Sequence, residues 1–343
     1  AHDPTPPDGA KFMPTSVTLA WTPGLGAKLH YVYFGDNLET VSNATVGTPA
    51  GAATFTPAGP LALNKTYYWR VDEFDAAATH KGDVWSFTTV PDIQITNPDL
   101  IGWWKFDEGQ GKKAIDFSGH GNDGTLGGDP LWIEGVMDGA LDLSGNDYVA
   151  IDGVVNDMTG TNITLSAWIK TTQSSEGELF AANESGSSHP LMFGIDGGNP
   201  YVNDGTDTQF PSVVNDNQWH MLTYVRNGSA GIIYVDGVQV GTYSATWSKD
   251  TITRWSIGQE WDTSPSDFYR GVVDDARIYN KALTADEVKQ LTRGDLLRAW
   301  SPSPPNWSTV GIERAASLTW SRGDNASQHD IYLGLDKTAV ANA

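Results

Sequence analysis

Oxygen-bearing side chains are concentrated in one glycine-rich segment of the chain. Residues 116–124 read Asp-Phe-Ser-Gly-His-Gly-Asn-Asp-Gly. Glycine lets the backbone bend sharply, and a hard cation such as Ca²⁺ takes about six to eight oxygen ligands, carbonyls included. Asp, Asn and Gly also build tight turns without any ion. The segment therefore predicts either a calcium loop or a structural turn, and its spacing excludes an EF-hand.

A second acidic position lies inside a predicted strand near the end of the central region. Strict alternation over residues 272–279 places Asp274 on the same face as Ala276 and Ile278, and Asp275 on the face of Arg277. A carboxylate on an apolar face needs a partner. A cation, backbone N–H groups and an arginine are the alternatives.

Aromatic residues among small polar residues suggest a ligand site. Tyr201, Trp247 and Trp261 lie among Asn, Asp, Ser and Thr, as do Phe268 and Tyr269. Such a mixture stacks on sugar faces and hydrogen-bonds sugar hydroxyls. The competing interpretation is that the rings pack beneath loops, which is common in a chain with 14 Trp.

Composition restricts the class of protein that must position these residues. With 37 Gly, 18 Pro and 18% charged residues, the 343-residue chain is predicted to be all-β, with many short strands and tight turns. The formal charge of −21 argues against nucleic acid or an anionic membrane as a partner. There is no cysteine and no apolar run long enough for a membrane span. The opening at Ala1, with no initiator Met, suggests a processed or excised product.

The beginning of the chain recurs near its end. The segment SVTLAW ending at Trp21 returns as AASLTW ending at Trp320, and HYVYFG at 30–35 returns as HDIYLG at 329–334. The first copy continues through three further strand candidates that have no counterpart after Ala343. A half-sandwich exposes unpaired backbone groups, which predicts either a fragment or completion by another chain.

The first copy resembles the fibronectin-type-III-like repeats of large secreted bacterial surface proteins. Its strand candidates are 17–21, 30–34, 67–73 and 84–88, and in 67–73 the residues Tyr67, Trp69 and Val71 share one face. The resemblance implies a β-sandwich over residues 1–92 and a partial second copy, limited to its first strands, over 297–343. A proline-bounded connector at 91–98 predicts a domain boundary.

The central region, residues 98–295, resembles laminin-G-like members of the concanavalin A-like jelly-roll family. Three blocks carry the resemblance. The first is GWWKFDEG at 102–109, followed by the glycine-rich segment, and the second is WH at 219–220, followed by IYVDGV at 233–238. The third is DDARIYN at 274–280, followed by LTADE at 283–287. The Asp236-Gly237 pair predicts a type I′ hairpin, residues 163–170 alternate as a one-faced strand, and Thr284 with Glu287 forms a capping box that starts a helix.

The resemblance also implies site residues. In this family a structural calcium ion commonly lies near the rim of the jelly roll, and its ligands map to Asp116, Asn122 and Asp274. Related jelly-roll glycanases carry a Glu-x-Asp-x-x-Glu strand motif, and that spacing is missing from this sequence. No His-x-x-x-His pair or nucleophile elbow occurs either. The chain is therefore predicted not to be an enzyme.

Together these patterns favour a secreted, extracellular binding or adhesion protein. We expect it to recognise a glycan or an extracellular protein surface through a calcium-stabilised jelly roll, with Tyr201, Trp247 and Trp261 as candidate ligand contacts. The alternative is a structural subunit of an extracellular fibre or surface coat, which self-associates when a neighbouring chain completes residues 297–343 by strand addition. A third possibility is that the chain is cut from a longer protein whose enzymatic domain lies elsewhere.

Overall fold

The structure is a computed structural model that describes residues 1–184, 189–262, 264–293, 300–303, 317–321, 328, 331 and 333–335. Strands dominate this part of the chain, which confirms the all-β prediction. No helix in these ranges is long and apolar enough to cross a membrane. Most of the predicted partial copy at 297–343 lies outside the described residues.

The N-terminal region forms two sheets that face a common core. Its elements are β1 (His2–Thr5), β2 (Ala10–Met13), β3 (Leu19–Thr22), β4 (Leu29–Gly35), α1 (Leu38–Asn43), β5 (Thr48–Ala50), β6 (Thr54–Phe55), β7 (Thr66–Phe74), β8 (Thr79–His80) and β9 (Val84–Thr89). One sheet has the order β1-β3-β6, and the other has the order β2-β9-β7-β4-β5 with β8 beside β7.

Strand β7 shows why this region closes into a sandwich. Tyr67, Trp69 and Val71 point into the core, as the alternation predicts, and Trp69 meets Trp85 of β9 edge-on at 4.7 Å between ring centroids. On the opposite face, Arg70 donates to Asp72 over 2.8 Å. The likeness to fibronectin-type-III repeats stays a prediction.

The central region is a two-layer jelly roll. Its elements are β10 (Leu100–Trp104), β11 (Lys113–Ala114), β12 (Gly124–Gly127), β13 (Leu131–Glu134), β14 (Gly139–Asp142), β15 (Tyr148–Ala150), β16 (Ile163–Lys170), β17 (Gly177–Asn183), β18 (Leu191–Asp196), β19 (Asn199–Asn203), β20 (Asp207–Gln209), β21 (His220–Asn227), β22 (Ala230–Val235), β23 (Val238–Ser244), β24 (Arg254–Ile257), β25 (Glu260–Trp261), β26 (Pro265–Ser266), β27 (Val272–Tyr279) and α2 (Ala285–Leu291). A 3₁₀ turn occupies Asp152–Asn156.

Two antiparallel sheets carry this jelly roll. One has the order β13-β14-β27-β16-β21-β22-β23, with β10 also paired to β27, and the other has the order β11-β12-β15-β24-β17-β18-β19-β20. The alternate residues Ile163, Leu165, Ala167 and Ile169 of β16 are buried between the sheets, as predicted. Burial of such apolar rows is the main stabilising term of the domain.

Two further local predictions hold. Asp236 and Gly237 both have positive φ, of 52° and 75°, and join β22 to β23. Helix α2 begins with the Thr284 and Glu287 capping box and buries Val288 and Leu291 on the outer face of the β27-containing sheet. The short helix α1, capped by the Asn37 side chain, was not predicted, because one buried residue, Val41, gives too little periodicity.

The predicted face of Asp274 is wrong. A bulge in β27, where Asp275 has a φ of 50°, shifts the pairing with β16, so that Val273, Ala276 and Ile278 face the core. Asp274 is paired with Trp168, whose side chain lies outside the main core. A bulge adds one residue to a strand and reverses the alternation beyond it.

A strand pair near the end of the chain repeats the register of the first copy. Strand β28 (Trp300–Ser303) pairs with β29 (Thr319–Ser321), with Trp300 opposite Ser321 and Ser303 opposite Thr319. These positions correspond in the repeat to His2 opposite Thr22 and Thr5 opposite Ala20 of β1 and β3. The repeated sequence therefore forms the same first strand pair.

Candidate functional site

The carboxylate of Asp116 is bound entirely by the protein. Its Oδ1 accepts from the backbone N–H groups of Trp103 (2.9 Å) and Ser118 (2.8 Å). Its Oδ2 accepts from Ser118 Oγ (2.7 Å) and Asn122 N (2.9 Å). The side chain is 2% exposed. Four donors at these distances leave no oxygen lone pair free for a cation.

Asn122 lies against Asp116, as predicted, and is also occupied by protein groups. Its Nδ2 donates to Ile101 O and to Asp157 Oδ2, both at 2.7 Å. The backbone carbonyl oxygen of Asn122 accepts from Trp104 Nε1 at 3.0 Å. The loop thereby fastens strand β10 to the segment after the 3₁₀ turn.

The glycine-rich loop also receives the connector from the N-terminal region. Gly119 has a φ of +90°, and a Cβ at this position would lie 2.7 Å from the backbone nitrogen of Ile95. Phe12 of the first region meets Phe117 of the loop edge-on, with ring centroids 6.1 Å apart. The loop is therefore one of the places where the two regions are in contact.

Asp274 is buried on strand β27. Its Oδ2 accepts from Met137 N at 3.0 Å, whereas its Oδ1 has no hydrogen bond. Burial, followed by the nearby Asp275 and Asp107, raises the pKa of Asp274 to about 8. Among the described residues no contact joins Asp274 to Asp116 or Asn122. Calcium at Asp116, Asn122 and Asp274 stays a prediction from the family resemblance.

Trp247 is a core residue in this structure. The side chain is 4% exposed, its Nε1 donates to Tyr224 Oη over 3.0 Å, and the Arg226 guanidinium lies 4.6 Å from a ring centroid. Protein atoms therefore cover the ring, and it offers no face on which a sugar could stack. The packing interpretation accounts for it.

Tyr201 is also buried, but it joins a group of acids. Its hydroxyl contacts Glu176 Oε1 at 2.8 Å and also contacts Glu178 Oε1. A phenol has one proton to donate, so a second hydrogen bond requires a protonated carboxyl group. Complete burial of Glu178 raises its pKa well above the usual value, which favours its protonated form. Burial likewise raises the pKa of Tyr201.

These acids belong to what we call the carboxylate cluster, defined as Glu176, Glu178, Glu260, Asp262 and Asp267. Strand pairing brings them together, because Phe180 of β17 lies opposite Ile257 of β24 and the chain continues from there into β25. The backbone N–H of Glu178 donates to Asp267 O over 2.9 Å. Glu178 and Glu260 are buried, whereas the other three are exposed.

Glu260 is the least satisfied member of the cluster. It is 3% exposed, and its Oε2 has no hydrogen bond. Burial, followed by the neighbouring Asp267 and Asp262, raises the pKa of Glu260 to about 8. The adjacent Gln259 is fully buried, with neither side-chain polar atom hydrogen-bonded. Unsatisfied buried polar groups are uncommon in folded proteins, so this concentration points to a functional region.

His189 completes this edge of the sheet. Its Nδ1 lies 2.9 Å from Glu260 Oε2, although neither atom makes a hydrogen bond of acceptable geometry. No sequence pattern singled out His189, Glu260 or Asp262. The spacing of these two acids, two positions apart in an extended segment, was the available signal, because such residues share a face.

Trp261 lies beside the cluster, as a ligand contact would. The side chain is half-buried, and Tyr148 meets it edge-on with ring centroids 5.5 Å apart. The Arg254 guanidinium lies 3.5 Å from a ring centroid. Of the three predicted ligand aromatics, Tyr201 and Trp261 border the carboxylate cluster and Trp247 does not.

Comparison with known proteins identifies the architecture of the central region. Residues 143–289 match the family model of the concanavalin A-like lectin/glucanases superfamily, which confirms the resemblance noted for the jelly roll. No curated protein matches the chain.

Solved structures with a similar fold include three bacterial domains. Domain 4 of AbnA, a GH43 extracellular arabinanase from Geobacillus stearothermophilus, in complex with arabinotriose, has a TM-score of 0.48 at 19% identity, covering 57% of this chain and 98% of that one. The binding domain of Paraclostridial Mosquitocidal Protein 1 has a TM-score of 0.45 and a sequence identity of 13%, and the match covers 60% of this chain and 54% of that one. The receptor binding domain of botulinum neurotoxin mosaic serotype C/D has a TM-score of 0.46 and a sequence identity of 17%, and the match covers 60% of this chain and 53% of that one. The chain spans about half the length of the two toxin domains.

Proposed function

We propose that the chain is an extracellular, non-catalytic binding protein whose jelly roll recognises a glycan at the sheet edge where Trp261 and the exposed carboxylates Glu176 and Asp262 lie. The observation that carries this proposal is the position of a partly exposed indole beside exposed acidic residues. An indole face stacks on the C–H face of a sugar, and carboxylate oxygens accept from its hydroxyl groups.

Burial supports a binding role over a catalytic one. Glycoside hydrolysis requires two carboxyl groups that reach the glycosidic bond from its two sides. Glu178 and Glu260, the cluster members with the most strongly raised pKa values, are 0% and 3% exposed. A polysaccharide on the surface does not reach their oxygens without a rearrangement of β17 and β25.

The proposal is tested by screening the full chain on a glycan array and measuring the affinity for each bound glycan. Trp261→Ala should weaken that binding by about tenfold or more, because a stacked aromatic contributes on the order of 1.5 kcal/mol. Trp132→Ala is the matched control, since Trp132 is a partly buried tryptophan of β13 outside the cluster. Equal loss in both variants, or no glycan bound at all, contradicts the proposal.

Catalysis is tested on the same ligands. Each bound polysaccharide is incubated with the protein, and new reducing ends or unsaturated sugars are measured. The expected result is no turnover above that of heat-denatured protein. Turnover that is lost in Glu260→Gln would overturn the non-catalytic assignment.

A further inference from the structure

We propose that His189, Glu260 and Asp262 bind a divalent transition-metal ion, with Zn²⁺ as the best-fitting example. One ligand atom from each residue, a ring nitrogen and two carboxylate oxygens, lies within 4.8 Å of the others. Three side chains converging on one point are the minimum protein ligand set of an open zinc site. This inference goes beyond glycan recognition and does not depend on it.

The state of Glu260 is an independent sign that a cation belongs there. Its side chain is more than nine-tenths buried, and Oε2 has no hydrogen bond although Nδ1 of His189 is 2.9 Å away. A buried carboxylate in this position is stabilised by a positive charge between the two groups.

The surroundings hold the two acids in place and add negative potential. Ser266 Oγ makes long contacts with Glu260 Oε1 (3.5 Å) and Asp262 Oδ2 (3.3 Å). Asp267 acts on Glu260 through a side-chain hydrogen bond and through its charge, and Glu176 acts through its charge alone. Outer groups that orient metal ligands strengthen binding, and nearby anions favour a divalent cation.

The ligand types select the class of metal. Ca²⁺ and Mg²⁺ take oxygen ligands, whereas Zn²⁺ takes imidazole nitrogen together with carboxylate oxygen at about 2.0–2.2 Å. Three protein ligands leave a fourth position for water. The site is therefore distinct in both place and chemistry from the calcium site that the sequence predicts at Asp116, Asn122 and Asp274.

A second histidine with two acids provides a matched control. Asp216 lies 3.2 Å from Nε2 of His220, and Asp236 lies 2.9 Å from Nδ1. This group also offers one imidazole and two carboxylates, but the carboxylates are on opposite ring nitrogens and so do not converge on one ion. If composition alone bound zinc, both places would bind it.

The test is isothermal titration of Zn²⁺, and separately of Ca²⁺, into the full chain after removal of metals with a chelator. We expect one Zn²⁺ per chain at this site and at least about 100-fold weaker binding in His189→Ala, in Glu260→Gln and in Asp262→Asn, the last of which alters an exposed residue and should keep the fold. His220→Ala should bind as the wild type does. Co²⁺ should give the visible absorption bands of a four-coordinate site, and His189→Ala should lack them.

Three outcomes of the Zn²⁺ titrations would overturn the proposal. They are no Zn²⁺ binding by the wild type at millimolar concentration, unchanged binding in His189→Ala, and equal losses in His189→Ala and His220→Ala. Binding of Ca²⁺ in preference to Zn²⁺ would also overturn it, because an imidazole nitrogen is not a calcium ligand.

Discussion

The glycine-rich loop at 116–124 and the carboxylate cluster are both acidic, yet their oxygens are in opposite states. In the loop, Asp116 receives four hydrogen bonds from neighbouring donors. In the cluster, one oxygen of Glu178 and one of Glu260 are buried without any. The loop resembles a cation site in sequence, whereas the cluster resembles one in structure.

The difference shows what makes acidic residues available to a ligand. A carboxylate near the N–H groups of a tight turn is bound by that turn, and it then serves folding. A carboxylate on a strand faces side chains instead, since the strand N–H groups pair with neighbouring strands. Such a carboxylate remains open to a proton or an ion.

The largest expected effect comes from removing the saturated carboxylate. Asp116→Ala leaves the backbone N–H groups of Trp103, Ser118 and Asn122 without their acceptor, which should lower the free energy of unfolding by about 4 kcal/mol. Urea denaturation followed by tryptophan fluorescence measures this loss.

The control is Asp129→Ala, which removes an exposed acid paired with Lys112 and should cost less than about 0.5 kcal/mol. A calcium effect would contradict the assignment of the Asp116 carboxylate to folding. If added Ca²⁺ stabilises the wild type and Asp116→Ala abolishes that gain, then the loop is a calcium site after all.

Local signals allowed much of the fold to be predicted. The alternation of Ile163 to Ile169, the Asp236-Gly237 turn and the Thr284 capping box each depend on residues close in sequence, and each is present. Their physical cause acts within a few residues. The family resemblance then indicated the jelly-roll architecture.

The site depended on features that are not local. The bulge at Asp275 reversed the face of Asp274, because an added residue leaves no mark in an alternating pattern. His189 and Glu260 meet only once β17, β18 and β24 are paired. The sequence placed a carboxylate at position 116, but it did not indicate that four donors would surround its oxygens.

Glu108 combines the two states, since one of its oxygens is hydrogen-bonded like those of Asp116 and the other is buried without a partner like that of Glu260. Its effect on stability should therefore depend on pH. Its Oε1 accepts from Ile115 N at 2.7 Å, whereas its Oε2 has no hydrogen bond, and burial raises the pKa of Glu108 to about 7. The unfolded value is about 4.3, so the folded state holds the proton more tightly and loses stability as the pH rises from about 4 to about 7, by up to about 3 kcal/mol.

Glu108→Gln cannot ionise, so the variant should gain up to about 3 kcal/mol relative to the wild type between pH 4 and pH 8. Urea denaturation at each pH measures the gain. Glu39→Gln, at an exposed acid of α1, should follow the wild-type curve. Parallel curves for Glu108→Gln and the wild type would show that Glu108 is as well solvated as a surface acid.

A smaller loss of stability is expected when the Tyr201 hydroxyl is removed from the carboxylate cluster. Tyr201→Phe removes the hydroxyl between Glu176 and Glu178 and leaves buried Glu178 without that hydrogen bond. The expected cost is about 1–3 kcal/mol in the free energy of unfolding. Tyr234→Phe, which removes a hydroxyl from β22, controls for the loss of a phenol. A Tyr201→Phe protein as stable as the wild type would mean that the cluster is already satisfied by other groups.

The smallest effect should come from removing one of the four donors around Asp116. Ser118→Ala deletes the Oγ donor at 2.7 Å and keeps the three backbone donors, so the free energy of unfolding should fall by about 1 kcal/mol. Ser144→Ala is a close control, because Ser144 contacts Asp142 through the same Asp-x-Ser arrangement, with an exposed hydroxyl. That change should cost less than about 0.5 kcal/mol, since water replaces the lost donor. Equal losses would mean that burial adds nothing to the Asp116 hydrogen bonds, and the contrast between the loop and the carboxylate cluster would then lose its physical basis.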